Sequence, residues 1–282
     1  NELPAEKNVE LEVKIEDPDG KIIKTFKSKP EKIASGEMKS IKAHNKVSDL
    51  HFWSWGYGYL YNVYTTLIVD GKPSDVVKTR TGFRKTRFDK GMFWLNDRVL
   101  QIKGYAERTT NEWPAQGQSV PAWLSDYSNK MMVESNANTV RWMHVTPWKQ
   151  DVESCDRVGL IQLMPAGDSE KDVEGRRWEQ RVELMRDAII YNRNNPSVIF
   201  YEGGNETISE THITELKALR DKYDPYGGRV MGSREMLDSK IAEWGGEMLY
   251  INKSAQKPLF ATEYCRDEGL RKYWDNYSFP YH

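Results

Sequence analysis

Asn195-Pro-Ser-Val-Ile-Phe-Tyr-Glu-Gly-Gly-Asn-Glu206 begins as a strand and ends in polar groups, and its reading decides the fold. Val198, Ile199, Phe200 and Tyr201 are β-branched or aromatic, and Pro196 halts the amphipathic pattern before them. The spacing predicts a short buried strand entered from a helix. Gly203 and Gly204 break that strand and predict a tight backbone turn. At the C-terminal end of a strand, such a turn sets Asn205 and Glu206 at a rim, as at the mouth of a barrel; the plainer alternative is a surface turn with a solvated glutamate.

Outward from this stretch the hydrophobic period changes twice. Just upstream, Trp178, Val182, Met185, Ala188 and Ile189 recur at helical spacing within a helix expected over 173–194, with Arg and Glu on the opposite face. A second helix is expected from Glu210 to Tyr223. Strand-like runs at 98–105, 138–144, 159–164, 197–202, 229–232 and 259–263 alternate with helical stretches, which implies a parallel sheet. Before residue 88 the period is two: Val9-Glu-Leu-Glu-Val-Lys-Ile15 alternates, Asp17-Pro-Asp-Gly20 is a turn sequence, and the runs 21–26, 60–69 (closed by Asp70-Gly71) and 76–88 read as further strands. Short strands joined by turns predict a β-sandwich. Trp53 and Trp55, ahead of the 60–69 strand, are expected to pack in the core or between domains.

Length and composition set bounds. A chain of 282 residues holds about two domains. With 41 basic and 42 acidic residues the net charge is −1, so there is no electrostatic case for a nucleic-acid or membrane-surface partner. Aromatics make up 12% of a chain that is only 38% hydrophobic, and aromatic rings in clefts can stack on the apolar faces of sugars. Cys155 and Cys265 show neither a disulfide framework nor metal spacing. No apolar run reaches membrane-spanning length and no charged-then-apolar leader is present, so a soluble chain is expected.

The segment from Arg193 to Glu206 closely resembles the catalytic acid/base strand of family-2 glycoside hydrolases, the β-galactosidase, β-glucuronidase and β-mannosidase family. Further motifs follow in the family's order. Thr81-Gly-Phe-Arg84 resembles the end of its immunoglobulin-like domain, which also carries Trp before a Leu-Tyr strand, and Phe93 to Gly104 resembles its hairpin and first barrel strand. Asn136-Ala-Asn-Thr-Val-Arg-Trp-Met-His144 is similar to its second strand, Cys155-Asp-Arg-Val-Gly-Leu160 to the junction before its third, and Leu259-Phe-Ala-Thr-Glu-Tyr264, with Gly269 beyond, to its nucleophile strand. The resemblance covers Thr81 to Gly269. It implies an immunoglobulin-like β-sandwich over 1–88 followed by a (β/α)8 TIM barrel over 89–282. Such barrels typically need about 250 residues, and with no eighth strand visible after Glu263 the barrel is expected to be partial and the chain a segment of a longer polypeptide.

The resemblance also implies roles. Glu206 would be the acid/base and Glu263 the nucleophile, the two carboxyls that double displacement at a glycosidic bond requires. Asn205 would hold the sugar's 2-hydroxyl, Arg141 would orient and ionise Glu263, and His144 would bind a hydroxyl. Tyr264, Glu202 and Trp244 complete the expected substrate-binding set. Departures from the family pattern limit the transfer. Where metal-binding members carry Asp-Glu and a nearby His, this chain has Gln162-Leu-Met-Pro-Ala166, so neither metal nor other cofactor is expected. Tyr105-Ala-Glu-Arg-Thr-Thr110 replaces a His-rich loop, and Glu202 stands where the family has a small residue. The function expected is that of a retaining exo-β-glycosidase, β-galactosidase-like, acting on oligosaccharides. The alternatives are a β-glucuronidase, an algal-galactan glycosidase, or a non-catalytic carbohydrate-binding barrel. Neither the oligomeric state nor the compartment follows from the sequence.

Overall fold

A computed structural model describes residues 1–107, 120–167, 171–247 and 257–261. Alternation of apolar with charged residues builds β1 (Lys7–Glu16), which buries Val9 and Ile15. The turn after it forms as expected: Asp17 Oδ1 accepts from the backbone N–H groups of Asp19 and Lys21 at 3.0 and 2.9 Å, and Gly20 takes φ 83°. β2 (Ile22–Lys27) and β3 (Glu31–Ile33) pair with one edge of β1 and β4 (Tyr61–Val69) with the other. β5 (Lys72–Thr81) completes a five-stranded antiparallel sheet. Asp70 and Gly71, at φ 49° and 79°, make the two-residue turn whose twist matches the β4–β5 hairpin. Between β3 and β4 lie the two tryptophans expected to pack. Trp53 is fully buried and donates Nε1 to the Asp156 carbonyl at 2.8 Å, while Trp55 donates to that of Ala137 at 2.9 Å, so both fasten this connection to the C-terminal domain.

β6 (Thr86–Asp89) and β7 (Met92–Leu95) form a hairpin that spans the domain boundary expected at residue 88, and β8 (Arg98–Val99) adds to it. Residues 98 and 99 were expected to open the first barrel strand; their antiparallel pairing with β7 shortens that strand to β9 (Gly104–Glu107). The hairpin's apolar side chains plug the barrel. Phe93 and Leu95 pack against Ile161, Phe200 and Val230, with the Phe93 and Phe200 rings edge to face at 5.5 Å.

From β9 onward helices and strands alternate: α1 (Ala122–Glu134), β10 (Thr139–Trp142), α2 (Lys149–Val158), β11 (Ile161–Pro165), α3 (Arg176–Asn192), β12 (Val198–Glu202), α4 (Glu210–Tyr223), β13 (Val230–Arg234), then β14 (Trp244–Glu247) and β15 (Leu259–Ala261). β9 to β15 lie side by side in chain order, all parallel. The described residues thus hold a seven-stranded sheet, one strand short of a (β/α)8 barrel. An antiparallel β domain of the sandwich class followed by an incomplete TIM barrel is the fold class the sequence implied. β14 was not among the expected strands. Its Trp-Gly-Gly-Glu sequence has little strand preference, and the strand is held instead by β13, through Gly232 opposite Trp244, and by β15, through Leu259 opposite Gly245.

Side-chain alternation sorts the barrel strands into two layers, with one interruption in β12, where the register against β11 skips Ile199 between Val198 and Phe200. Ile161, Leu163, Phe200, Val230 and Trp244 share the interior cluster with the hairpin plug. Met164, Val198, Tyr201 and Met231 face outward against Trp178, Met185, Ile189, Ile213 and Leu216, so α3 buries the face its sequence marked, with Val182 at the edge. Beneath β12 lies a polar footing. Asp156 accepts from Asn195 Nδ2 at 2.5 Å, from the Ser197 N–H at 3.1 Å and from the Ser197 hydroxyl, which itself accepts from Gln162 Nε2 at 2.6 Å. Burial pushes the Asp156 pKa up to about 6 although these donors oppose the rise.

Candidate active site

Alternation carries one step further along β12: Phe200 points into the barrel, Tyr201 outward, and Glu202 inward again. On β10 the outward residues Val140 and Trp142 pack against Cys155 and Leu160, which leaves Arg141 inward. The two inward charges meet. Arg141 Nε lies 2.9 and 3.2 Å from the Glu202 oxygens, its Nη2 lies 2.6 Å from Oε1, and the side chains are 4% and 0% exposed. The same Nη2 donates to Asn205 Oδ1 at 2.8 Å. A guanidinium has only donors, so the amide must present its oxygen to Arg141. Glu202 was expected on the wall touching sugar; with no exposed surface, it stands behind Arg141 instead.

Glu206 is half-buried in the loop between β12 and α4. Two contacts fix that loop. The Ser233 hydroxyl, on β13, lies 2.5 Å from the Gly204 carbonyl and 3.1 Å from that of Glu206. Asp172 holds the far side, accepting from the Ser209 N–H at 2.9 Å and lying 2.7 Å from Nδ1 of His212, whose ring stacks on Trp178 at 3.6 Å. Gly203 and Gly204 were expected to supply a tight turn, yet neither takes a positive φ. Crowding explains them instead. A Cβ on Gly203 would stand 2.9 Å from Ile208 Cδ1 and from Leu216 Cδ1, and one on Gly204 would stand 2.7 Å from Ile208 Cγ2.

The remaining expected residues divide. His144, half-buried, lies two residues past the C-terminal end of β10, the strand that carries Arg141. Trp244 was placed with the substrate, but its ring is fully buried in the interior cluster against Phe200, with Nε1 donating to the Tyr201 carbonyl at 3.0 Å, so it is a packing residue. Glu263 and Tyr264 lie outside the described residues, and the pairing expected between Arg141 and Glu263 therefore does so too. At the end of the third strand, Met164 packs in the outer core layer and Pro165 offers no side-chain donor, a set that does not fit a hard divalent cation. Sequence reasoning missed Ser233 and Asp172. Ser233 shares the outward face of Met231 on β13, and both residues act through contacts distant in sequence.

The arrangement therefore offers a half-exposed carboxyl on a braced loop, able to give or take a proton, beside an amide oriented by a buried ion pair. Residues 1–84 match the family described as Glycosyl hydrolases family 2, and residues 86–278 match its TIM barrel domain. A β-glucuronidase of Formosa agariphila is 31% identical over 99% of this chain, and a β-galactosidase of Thermoanaerobacter pseudethanolicus is 24% identical over 84% of it. The chain spans 29% and 33% of the lengths of these two relatives. The solved structure of a β-glucuronidase from glycoside hydrolase family 2 superposes with a TM-score of 0.83 at 30% identity, covering 92% of this chain and 28% of that one. A putative β-galactosidase from Bacteroides fragilis shares the fold, with a TM-score of 0.74. Matched along nearly its whole length by these two domains in their order, the chain belongs to glycosyl hydrolases family 2.

Proposed function

We propose that the protein to which this chain belongs is a retaining β-glycosidase of the β-glucuronidase type, with Glu206 as acid/base and Glu263 as nucleophile. The observation that carries the substrate class is the 31% identity to a β-glucuronidase across 99% of the chain, against 24% to a β-galactosidase. This favours the alternative over the β-galactosidase-like activity that the motifs first implied. In the mechanism, Glu263 attacks the anomeric carbon while Glu206 gives its proton to the departing oxygen. Glu206 then takes a proton from water as that water displaces the enzyme carboxylate. Asn205 donates to a ring hydroxyl, and His144 and Tyr264 line the same pocket. The β-galactosidase reading stays in play because the 24% relative covers 84% of the chain.

The test is turnover of p-nitrophenyl β-D-glucuronide and p-nitrophenyl β-D-galactoside by the full-length protein, its Glu206→Gln variant and its Glu263→Gln variant. Loss of the nucleophile should abolish turnover of either glycoside. Loss of the acid should be milder on these activated substrates than on an unactivated alkyl glycoside, and azide should restore deglycosylation. Preference for the galactoside would return the substrate class to β-galactosides. A parent that binds sugar and turns over neither glycoside would leave a carbohydrate-binding barrel.

A further inference from the structure

We infer that Glu202 is a positioning residue of the site: it neutralises Arg141 inside the barrel and aims it at Asn205, so that the Asn205 amide is presented in one orientation. The inference rests on the proposed glycosidase reading of Asn205 and Glu206. Its physical basis is the order of contacts. Glu202 is the last residue of β12, fully buried, with both oxygens within 3.2 Å of Arg141 Nε. Its neighbours in register are Pro165 on β11 and Gly232 on β13, and the Trp244 ring packs over Gly232, where a Cβ would stand 2.6 Å from Trp244 Cγ, so the carboxylate is walled in on that side and turns to the guanidinium that crosses from β10. Asn205 follows after only two glycines, and its Oδ1 receives the same Nη2 that Glu202 holds at 2.6 Å. The carboxylate thus fixes the guanidinium plane, and the guanidinium fixes the amide.

The pair adds no net charge to this end of the barrel, where Arg234, the last residue of β13, is also buried. Arg141 and Glu202 sum to zero, so the positive field that Arg141 would cast on carboxylates at the mouth is largely cancelled by a partner within hydrogen-bond distance. Removing the negative member makes the site one unit more positive. Nearby carboxyls would then ionise at lower pH, and Arg141 would turn toward another oxygen.

The experiment uses the full-length protein and its Glu202→Gln variant, with Glu202→Asp as a second variant in case the first does not fold. A crystal structure of each and the pH dependence of kcat/KM on the two nitrophenyl glycosides are measured. In Glu202→Gln, Arg141 Nη2 should leave Asn205 Oδ1 and kcat/KM should fall by about 10- to 100-fold. The acid limb of the profile should move down by about one pH unit. Glu202→Asp should loosen the Arg141–Asn205 contact and lower kcat/KM to a smaller degree while leaving the acid limb in place, since it shortens the reach but keeps the charge. An Asn205 left against Arg141 in both variants, an acid limb that does not move in Glu202→Gln, or one that moves as far in Glu202→Asp, overturns the inference. If the parent turns over neither glycoside the proposed function fails, and the position of the Asn205 amide in the variant structure alone decides the role of Glu202.

Discussion

Arg84 Nη2 donates to the carbonyl of Val198 at 2.8 Å, joining the end of the N-terminal domain to the first residue of the strand that leads to Asn205 and Glu206. The same guanidinium reaches the carbonyls of Pro196 at 2.5 Å and Gly227 at 3.1 Å. Burial, together with the neighbouring charge of Arg229, pulls its pKa down to about 9. The Gly-Phe-Arg84 motif therefore places a three-carbonyl clamp at the foot of β12, the strand that leads to Glu206.

Arg84→Lys should destabilise the protein by about 2–4 kcal/mol, because an ammonium cannot reach three carbonyls spread around a planar fork. Urea denaturation would measure it. A loss below about 0.5 kcal/mol, the range of an ordinary surface change, would show that the clamp contributes little.

Gly203→Ala and Gly204→Ala should lower kcat/KM by about tenfold or more while costing about 1–3 kcal/mol of stability, since the added methyl displaces the loop that carries Glu206. The clash is with the flexible ends of Ile208 and Leu216. Adding Ile208→Ala to Gly204→Ala should therefore recover part of the activity. A double variant as slow as the single would mean that the glycine serves the backbone and not this contact.

Asp151 on α2 is fully buried; the Ser125 hydroxyl donates to its Oδ1 at 2.5 Å and its Oδ2 has no hydrogen-bond partner among the described residues. Desolvation lifts its pKa from 3.8 to about 6. Between these values the folded chain keeps a proton that the unfolded chain has released, so stability falls as pH rises through this window and levels off above it. Asp151→Asn should match the parent near pH 4 and gain on it up to pH 6 and beyond, by about 3 kcal/mol at most. Asp156→Asn should behave differently, losing stability at every pH, because both oxygens of Asp156 already accept from Asn195 and Ser197. Melting temperatures from pH 4 to 8 test both; an Asp151→Asn difference that does not vary with pH would refute the titration argument.

Turnover should survive dialysis against a chelator, because Met164 and Pro165 stand where a hard cation would need anionic oxygen. A large loss restored by magnesium would reverse this.

Periodicity made much of the molecule readable in one dimension. Alternation from Val9 to Ile15 gives β1, helical spacing from Trp178 to Ile189 gives α3, and the apolar run ending at Tyr201 gives β12, because each pattern reports which face of a local element leaves water. The motif order along the chain, from Gly-Phe-Arg84 to Asn205-Glu206, led to the family without any contact being known. Partners were another matter. Glu202 and Trp244 both read as residues at the sugar, since nothing within a few positions of either says that one faces Arg141 from two strands away and the other lies across Phe200. β14 was missed because Trp-Gly-Gly-Glu becomes a strand only between β13 and β15. Gly203 and Gly204 were recognised as necessary, but for backbone freedom rather than for the approach of Ile208 and Leu216. The sequence by itself determined most of the strands and helices, for those follow from local period and residue type. Only the tertiary structure decided who pairs with whom, because ion pairs, register and close packing join residues whose separation along the chain leaves no local trace.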